Sequence, residues 1–360
     1  MILGVLVVAG AICVGGLAAI AWHYGRDVLR ARPQEPKSRP YHVEAAVFDG
    51  GAAEIKLAGE LTRPSGPGPF PGLVLITGSG PHDRNEVVEG HKWFLVLSDR
   101  LTRSGYAVLR FDDRGIAESS GDFQTATSAD FADDAAAALR WLRAQPEIDP
   151  ERVGFLGHSE GGYIAPLAAQ QVEAAFLVFM AGPAKRLLPD VMVDQARDIL
   201  RAEGQSEALL ERASRQVTEN TAILRAAPDA ATAEQRMKAY LKSEGYNRGE
   251  INASLGLWAR PWGLWYAHHD PAPAFRAFEG PVLALFGGSD LQVSAAANAP
   301  VMEELLRHPR SSVQVLPGLN HLFQPSESGR IQEYKTIDVT IDEAALRALV
   351  TWLDGVTGDH

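Results

Sequence analysis

From Tyr41 onward, short apolar runs alternate with longer stretches in which apolar positions recur at helical spacing. The runs are rich in β-branched residues, which is typical of buried strands, and the spacing between them predicts helices. This alternation predicts an α/β fold with a mostly parallel sheet that helices cover on both faces. The predicted strands are 72–77, 106–111, 153–157, 175–180, 282–286 and 313–316, and the predicted helices are 92–104, 129–144, 162–171, 295–307 and 342–354.

Two features depart from this alternation. At its start, VEAAVF and AEIKLAGEL flank the turn Asp49-Gly50-Gly51, which predicts an antiparallel hairpin. Before the strand at 282–286, about 100 residues carry charged, amphipathic helical patterns instead of strands. We therefore predict a core domain formed by residues 41–184 and 276–360, with a helical cap inserted at residues 185–275.

The first 22 residues contain no charged side chain and, as a helix, are long enough to span a hydrocarbon core. Residues 1–24 are therefore predicted to be a transmembrane anchor or signal segment, followed by a basic, proline-rich linker at 25–40. The basic flank favours a single membrane anchor with the catalytic domain on the cytoplasmic side. The alternative is export after cleavage near Ala19-Ile20-Ala21, which has the spacing of a signal-peptidase site.

Composition narrows the possible functions. The formal net charge of −11 disfavours nucleic acid as a partner. Cys13 is the only cysteine, which excludes an intramolecular disulfide and a thiol nucleophile in the globular part. The adjacent His268 and His269 have no ligand-spaced partners, so no metal site is predicted.

The clearest chemical signal is the sequence Gly-His-Ser-Glu-Gly at 157–161, which follows the strand RVGFLG and precedes the helical pattern YIAPLAAQQ. A strand, a sharp turn and a helix are the context in which a G-x-S-x-G serine acts as a nucleophile. A serine hydroxyl needs a base and an orienting acid, which in this architecture follow later strands in the order acid, then histidine. Asp290 and His321 follow the strands at 282–286 and 313–316 and are the predicted partners of Ser159.

An acyl-transfer site also needs two backbone donors for the oxyanion. We predict these donors to be the amide of Glu160, directly after the nucleophile, and the amide of Ser79, in the loop after the strand at 72–77. The Glu160 carboxylate is expected to pair with Arg84. Asp83 stands where a dinucleotide loop would need glycine, which disfavours that alternative.

With these elements in order, the chain from about Val43 onward resembles the α/β-hydrolase superfamily. More narrowly, it resembles bacterial carboxylesterases related to dienelactone hydrolase and the catalytic domain of prolyl oligopeptidase. The resemblance implies an ester-hydrolysing serine enzyme with Ser159, Asp290 and His321 as its triad. It rests on the segments ITGSGPHDRNE (76–86), RFDDRG (110–115), GHSEGGYIAP (157–166), YAHHDPAPAF (266–275), PVLALFGGSDLQV (281–293) and PGLNHLFQ (317–324).

An aromatic cluster lies near the end of the predicted cap. Its members, predicted to line an apolar acyl or aryl-acyl pocket, are Trp258, Trp262, Trp265 and Tyr266. Packing within the cap is the alternative explanation for such spacing.

The sequence thus predicts a serine hydrolase that cleaves carboxylic esters of small molecules through an acyl-serine intermediate, with no cofactor. A peptidase or acyl-aminoacyl hydrolase, or a thioesterase, would use the same triad. A non-catalytic binding protein with a hydrolase fold is the alternative from another class. The predicted partners are the ester substrate and, through the N-terminal segment, a membrane; nothing in the sequence indicates an oligomeric state.

Overall fold

The computed structural model describes residues 32–185 and 187–358, which form an eight-stranded sheet, a two-stranded hairpin and eleven α-helices. The strands are β1 (His42–Asp49), β2 (Lys56–Arg63), β3 (Phe70–Ile76), β4 (Val87–Val88), β5 (His91–Lys92), β6 (Ala107–Phe111), β7 (Ile148–His158), β8 (Leu177–Met180), β9 (Val282–Gly287) and β10 (Ser312–Leu316). The helices are α1 (Trp93–Arg103), α2 (Ser128–Arg143), α3 (Gly161–Ala169), α4 (Leu188–Ala202), α5 (Glu207–Ala226), α6 (Ala230–Ser243), α7 (Arg248–Trp258), α8 (Pro261–His268), α9 (Ala272–Ala277), α10 (Ala295–Leu305) and α11 (Glu343–Thr357).

The large sheet has the strand order β1-β2-β6-β3-β7-β8-β9-β10. From β6 to β10 every neighbouring pair is parallel, whereas β1, β2 and β6 pair in antiparallel fashion. The predicted mostly parallel sheet flanked by helices is therefore confirmed, and the predicted hairpin is the β1–β2 pair. The short β4–β5 hairpin lies outside the predicted strands.

Helices cover both faces of the sheet because its parallel strands are apolar on both sides. Successive residues of β3 alternate between the two cores: Val74 and Ile76 belong to one buried cluster, while Leu73 and Leu75 belong to the other. A strand has a side-chain period of two, so a continuous apolar run supplies both cores.

The helix α2 illustrates how local sequence sets an element. Thr127 caps its N-terminus by accepting a hydrogen bond from the Asp130 amide, and the Asp130 carboxylate accepts from the Thr127 amide in return. This capping box satisfies donors that the first turn leaves free, and Arg140 and Arg143 complement the dipole in the last turn. The helix thereby begins directly beside the loop that follows β6.

Six helices, α4 to α9, lie between β8 and β9, where the sequence predicts the cap insertion. The insertion packs against the core domain, since its buried Leu257, Trp258 and Trp262 belong to the same apolar cluster as Phe155 of β7. A smaller apolar cluster, centred on Leu200 and Leu210, holds α4 against α5.

The predicted membrane segment, residues 1–24, and the first part of the predicted linker lie outside the described residues. Within residues 32–185 and 187–358, no helix combines the length and apolarity needed to cross a bilayer. The described part of the linker is docked at its start: the Arg32 guanidinium donates to the carbonyl oxygens of Ile337, Glu89 and Lys335. The Gln34 side chain adds hydrogen bonds to the backbone at 340–341.

We predict that Arg32→Ala lowers the free energy of unfolding by about 2 to 3 kcal/mol, because it removes a buried cation that satisfies three carbonyl groups. Chemical denaturation of the full-length chain measures the change. The control is Arg39→Ala, which breaks a half-exposed ion pair with Glu60 and should cost less than about 0.5 kcal/mol. Equal losses in the two variants would contradict a structural role for the docked segment.

Candidate active site

Ser159 occupies a sharp turn between β7, which ends at His158, and α3, which begins at Gly161. Its φ of 51° lies in the left-handed region, which residues other than glycine rarely adopt. The turn is this tight because backbones approach each other closely: a Cβ at Gly157 would lie 2.0 Å from the Gly161 carbonyl oxygen, and one at Gly161 would lie 2.3 Å from the Ile76 carbonyl oxygen. Glycine is thus required on both sides of Ser159.

Asp290 and His321 follow β9 and β10, which are neighbouring parallel strands. Their carboxyl ends meet at one edge of the sheet, and His321 Nδ1 lies 2.8 Å from Asp290 Oδ2, with both side chains buried. The other oxygen, Asp290 Oδ1, accepts hydrogen bonds from the amides of Gln292 and Val293 at 2.7 and 2.9 Å. Asp290 therefore both closes a turn and orients the imidazole of His321.

The residue that precedes the predicted nucleophile lies close to this pair. The ring of His158, the residue preceding Ser159, is 5.0 Å from the ring of His321 between centroids. Ser159, Asp290 and His321 all follow the carboxyl ends of sheet strands, where α/β folds hold their ligands.

The loop after β3 lies against the Ser159 turn, since a Cβ at Gly78 would approach the Ser159 Cβ to 3.2 Å. The Gly78 amide is already used, because it donates to Glu86 Oε1 at 2.7 Å. Ser79 and Glu160, the predicted backbone donors, both line one pocket at this edge. Their assignment to an oxyanion hole stays a prediction.

The expected pairing of Glu160 with Arg84 is wrong. Glu160 Oε1 accepts hydrogen bonds from Ser128 Oγ at 2.6 Å and from Trp262 Nε1 at 2.9 Å. Arg84 instead binds Asp112, with Nη2 at 2.5 Å from Oδ2. The physical reason is strand order: β6, which precedes Asp112, is the neighbour of β3, so their two following loops lie side by side.

Asp113 anchors the same loop. Its Oδ1 accepts from Thr77 Oγ1 at 2.8 Å, and its Oδ2 accepts from the His82 amide at 2.9 Å. Burial raises the pKa of the Asp113 carboxyl well above its ordinary range, although these two hydrogen bonds act in the opposite direction.

The pocket beside Ser79 and Glu160 has an empty volume of about 680 Å³, including its open mouth. Most of its wall is apolar and aromatic, as in pockets that bind small molecules. The apolar part of the wall includes Phe111, Phe123, Phe131, Ile164, Leu257 and Trp262.

The four aromatic residues predicted to line this pocket differ in what they line or contact. Trp262 lines it, whereas Trp258 lines a second pocket within the insertion. Trp265 stacks on His269 at 4.0 Å and Tyr266 stacks on Trp262 at 4.6 Å, so these two rings pack against other side chains. Among the described residues, no group of three or more histidine, cysteine, aspartate or glutamate side chains could hold a metal ion.

Sequence reasoning did not assign Glu86, which lies 2.8 Å from His158 Nδ1 through its Oε1. It also did not assign Trp93, whose ring stacks on that of His158 at 4.5 Å. The only sequence signal for Glu86 was its place at the end of the segment ITGSGPHDRNE. Glutamate is rarely buried unless it is paired, so the sequence alone favoured an exposed side chain at this position.

The sequence profile of the X-Pro dipeptidyl-peptidase (S15 family) matches residues 49–275. The chain belongs to this family. The matched segment contains Ser159 and most of the insertion, and it ends before Asp290 and His321.

Known relatives include hydrolases. Over 317 residues the chain is 28% identical to the esterase EstD of Thermotoga maritima, covering 87% of this chain and 69% of that protein. A Pyrococcus furiosus esterase superimposes with a TM-score of 0.52 at 14% identity over 88% of this chain and 92% of its own. The α/β hydrolase GrgF from Penicillium sp. sh18 superimposes with a TM-score of 0.54 at 15% identity, over 88% of this chain and 100% of its own. These likenesses confirm the α/β-hydrolase fold, and the chain is a hydrolase of that superfamily.

We predict that Asp113→Asn makes stability less dependent on pH. A carboxyl whose pKa is raised by folding contributes stability below its unfolded pKa, near 3.9, and that contribution is lost as the pH rises through the folded pKa. The neutral amide lacks this loss, so the variant should gain free energy of unfolding relative to the parent between pH 5 and pH 8.

Urea unfolding of both proteins at the two pH values measures the effect. A difference between parent and variant that stays constant across this range would contradict a raised pKa for Asp113.

Proposed function

We propose that this protein is a serine esterase in which Ser159 is the nucleophile, His321 the general base and Asp290 the residue that orients His321. The observation that carries the proposal is the buried hydrogen bond between His321 Nδ1 and Asp290 Oδ2, at 2.8 Å, beside the strained Ser159 turn. Because Nδ1 is committed to Asp290, the Nε2 atom of His321 is the one that accepts the serine proton.

Acylation then proceeds in two steps. Ser159 Oγ attacks the ester carbonyl carbon while His321 Nε2 takes the hydroxyl proton, and a tetrahedral oxyanion forms. The oxyanion breaks down to an acyl-serine as the imidazolium of His321 returns the proton to the departing alcohol. In deacylation, His321 Nε2 takes a proton from a water molecule as the water oxygen attacks the acyl-serine, and a second tetrahedral oxyanion forms. This oxyanion breaks down to the free acid as the imidazolium returns the proton to Ser159 Oγ.

The amides of Ser79 and Glu160 are the proposed donors to the oxyanion. Two arrangements support these roles: the Gly78 amide is held by Glu86, and the Glu160 side chain is held by Ser128 and Trp262, so both peptide segments are fixed before substrate binds. Donors that are already oriented need no reorganisation when negative charge develops, which is the basis of oxyanion stabilisation.

The apolar pocket next to these donors is the proposed acyl site. Its phenylalanine rings and Trp262 favour an alkyl or aryl acyl group. Trp262 also links the insertion to the core, since its Nε1 donates to the residue that follows the nucleophile.

Peptidase activity is the second candidate, and the family match favours it. An amide differs from an ester mainly in its leaving group, an amine that must take a proton from His321. Parallel assays with p-nitrophenyl esters, an Xaa-Pro p-nitroanilide and an acyl thioester separate this candidate and the thioesterase from the esterase. The esterase proposal requires that kcat/KM is highest for an oxygen ester.

We predict that p-nitrophenyl esters give a burst of p-nitrophenol equal to the enzyme concentration, and that Ser159→Ala abolishes it. Loss of the nucleophile should lower kcat by about 10⁴-fold or more. Stopped-flow absorbance measures the burst, with the exposed Ser243→Ala as the matched control. A burst that survives in Ser159→Ala would refute the assignment, whatever the control does.

We predict that Trp262→Ala raises kcat/KM for long acyl chains relative to short ones by about tenfold, because it removes a bulky ring from the pocket wall. The matched control is Trp265→Ala, which removes an equal ring that stacks on His269 instead. A graded series of p-nitrophenyl esters gives both profiles. If the two variants change chain-length preference alike, the proposed acyl site is not where Trp262 lies.

A further inference from the structure

The Glu86 carboxylate joins two parts of the site that are far apart in sequence. It is 1% exposed, and its Oε1 accepts a hydrogen bond from the Gly78 amide at 2.7 Å. The same oxygen lies 2.8 Å from His158 Nδ1, on the residue that precedes the nucleophile. One oxygen atom therefore holds the loop carrying Ser79 against the Ser159 turn.

His158 carries the connection further. Its Nε2 lies 3.2 Å from the main-chain carbonyl oxygen of His321. A carbonyl oxygen only accepts, so Nε2 must hold a proton, and a proton must also lie between Nδ1 and Glu86. Burial alone would lower the pKa of His158 and raise that of Glu86, yet their mutual attraction dominates: the pKa of His158 is raised and that of Glu86 is lowered. Both directions favour the imidazolium–carboxylate form of the pair.

Two charged groups around the pair favour its ionised form. Asp290 lies on the His158 side and favours its protonated form, and His82 lies on the Glu86 side and favours the carboxylate. Asp113 feels the negative charge of Glu86, which contributes to its own raised pKa. The neighbours thus reinforce the ionised state of the pair.

Trp93 completes the frame. Its ring stacks on the His158 imidazole, with centroids 4.5 Å apart, and its Nε1 donates to the Leu322 carbonyl oxygen at 2.9 Å. Two consecutive carbonyl groups, those of His321 and Leu322, are therefore held by side chains that both depend on the position of His158.

The backbone at Glu86 gives a second sign that the carboxylate is held in place. Its φ of 46° is in the left-handed region, which a glutamate enters only when its surroundings enforce it. Its other oxygen, Oε2, is buried with no hydrogen-bond partner among the described residues. Most buried carboxylate oxygens are hydrogen-bonded, so the unpartnered Oε2 is an energetic cost at this position.

We propose that Glu86 is a positioning residue that acts through His158 to set the oxyanion donors and the His321 loop relative to Ser159. This inference rests on the proposed function. It predicts that removing the charge of Glu86 misplaces groups that act only in the transition state, so that kcat changes while substrate affinity does not.

The test is Glu86→Gln in the full-length chain. The substitution removes the negative charge that favours a protonated His158. A neutral His158 has one N–H, so it can no longer donate both to residue 86 and to the His321 carbonyl. We expect kcat for a p-nitrophenyl ester to fall about 100-fold with KM within about threefold. The parent should also prefer the oxygen ester over the matching thionoester, whose sulfur is a poor acceptor in an oxyanion hole, and the variant should lose most of this preference.

Controls separate positioning from stability. Tyr106 directly precedes β6, at the end of the sheet opposite the site, and its hydroxyl contacts Asp354 and Thr357. Tyr106→Phe removes this hydroxyl and should lower the melting temperature, with kcat and the thionoester ratio unchanged. His158→Gln and the double variant with Glu86→Gln complete a cycle, in which the double variant should lose no more than about twofold beyond the worse single variant.

The outcomes distinguish the two proposals. If Ser159→Ala still hydrolyses the ester, the proposed function is overturned and this inference with it. Three results would overturn the inference alone, provided that the parent is active. Glu86→Gln could keep the parental kcat, it could keep the parental thionoester ratio, or its loss of kcat could add to that of His158→Gln. If Glu86→Gln does not fold, Glu86→Asp carries the test: its shorter side chain cannot reach both Gly78 and His158, so the same loss of kcat and of thionoester discrimination is required.

Discussion

At the turn that carries Ser159, main-chain atoms of three chain segments approach so closely that no side chain fits between them. Gly161 lies against the carbonyl of Ile76, and Gly162 lies against Gly182, where an added Cβ would be 2.5 Å from the Cα atom. This contact fixes the Ser159 turn to the ends of β3 and β8. Because β9 and β10 continue the same parallel sheet, the loops bearing Asp290 and His321 meet the turn without any long connection.

Burial of acidic groups is the second theme of the site. Glu86, Asp113, Glu160 and Asp290 are all buried, and each is accommodated differently. Asp290 accepts hydrogen bonds from two amides and contacts the His321 imidazole, and Glu160 accepts hydrogen bonds from a hydroxyl and an indole. Glu86 pairs with His158, and burial raises the pKa of Asp113. Buried charge is costly unless it is paired, so each buried carboxylate of the site depends on the partners that it contacts.

The strands could be predicted from sequence because parallel strands are continuous apolar runs. The residues that follow such strands share one edge of the sheet, which is why Ser159, Asp290 and His321 could be named as triad candidates. Glu86 and Asp113 could not be named in this way, because their contacts join positions 72 and 36 residues apart in the chain. Of the predicted aromatic cluster, Trp262 lines the pocket and Trp258 does not, and the local sequence gives a reason. Arg260 and Pro261 divide α7 from α8, so Trp258 and Trp262 are not one turn apart on a single helix.

The place of the insertion has an evolutionary consequence. It leaves the sheet after β8 and returns at β9, and these strands are hydrogen-bonded neighbours whose spacing is about 4.8 Å. Any peptide whose two ends meet at that spacing could be exchanged here without altering the order or register of the strands that carry the triad candidates. A replacement segment would change the wall of the pocket, and it would also have to replace the hydrogen bond from Trp262 Nε1 that holds the Glu160 carboxylate.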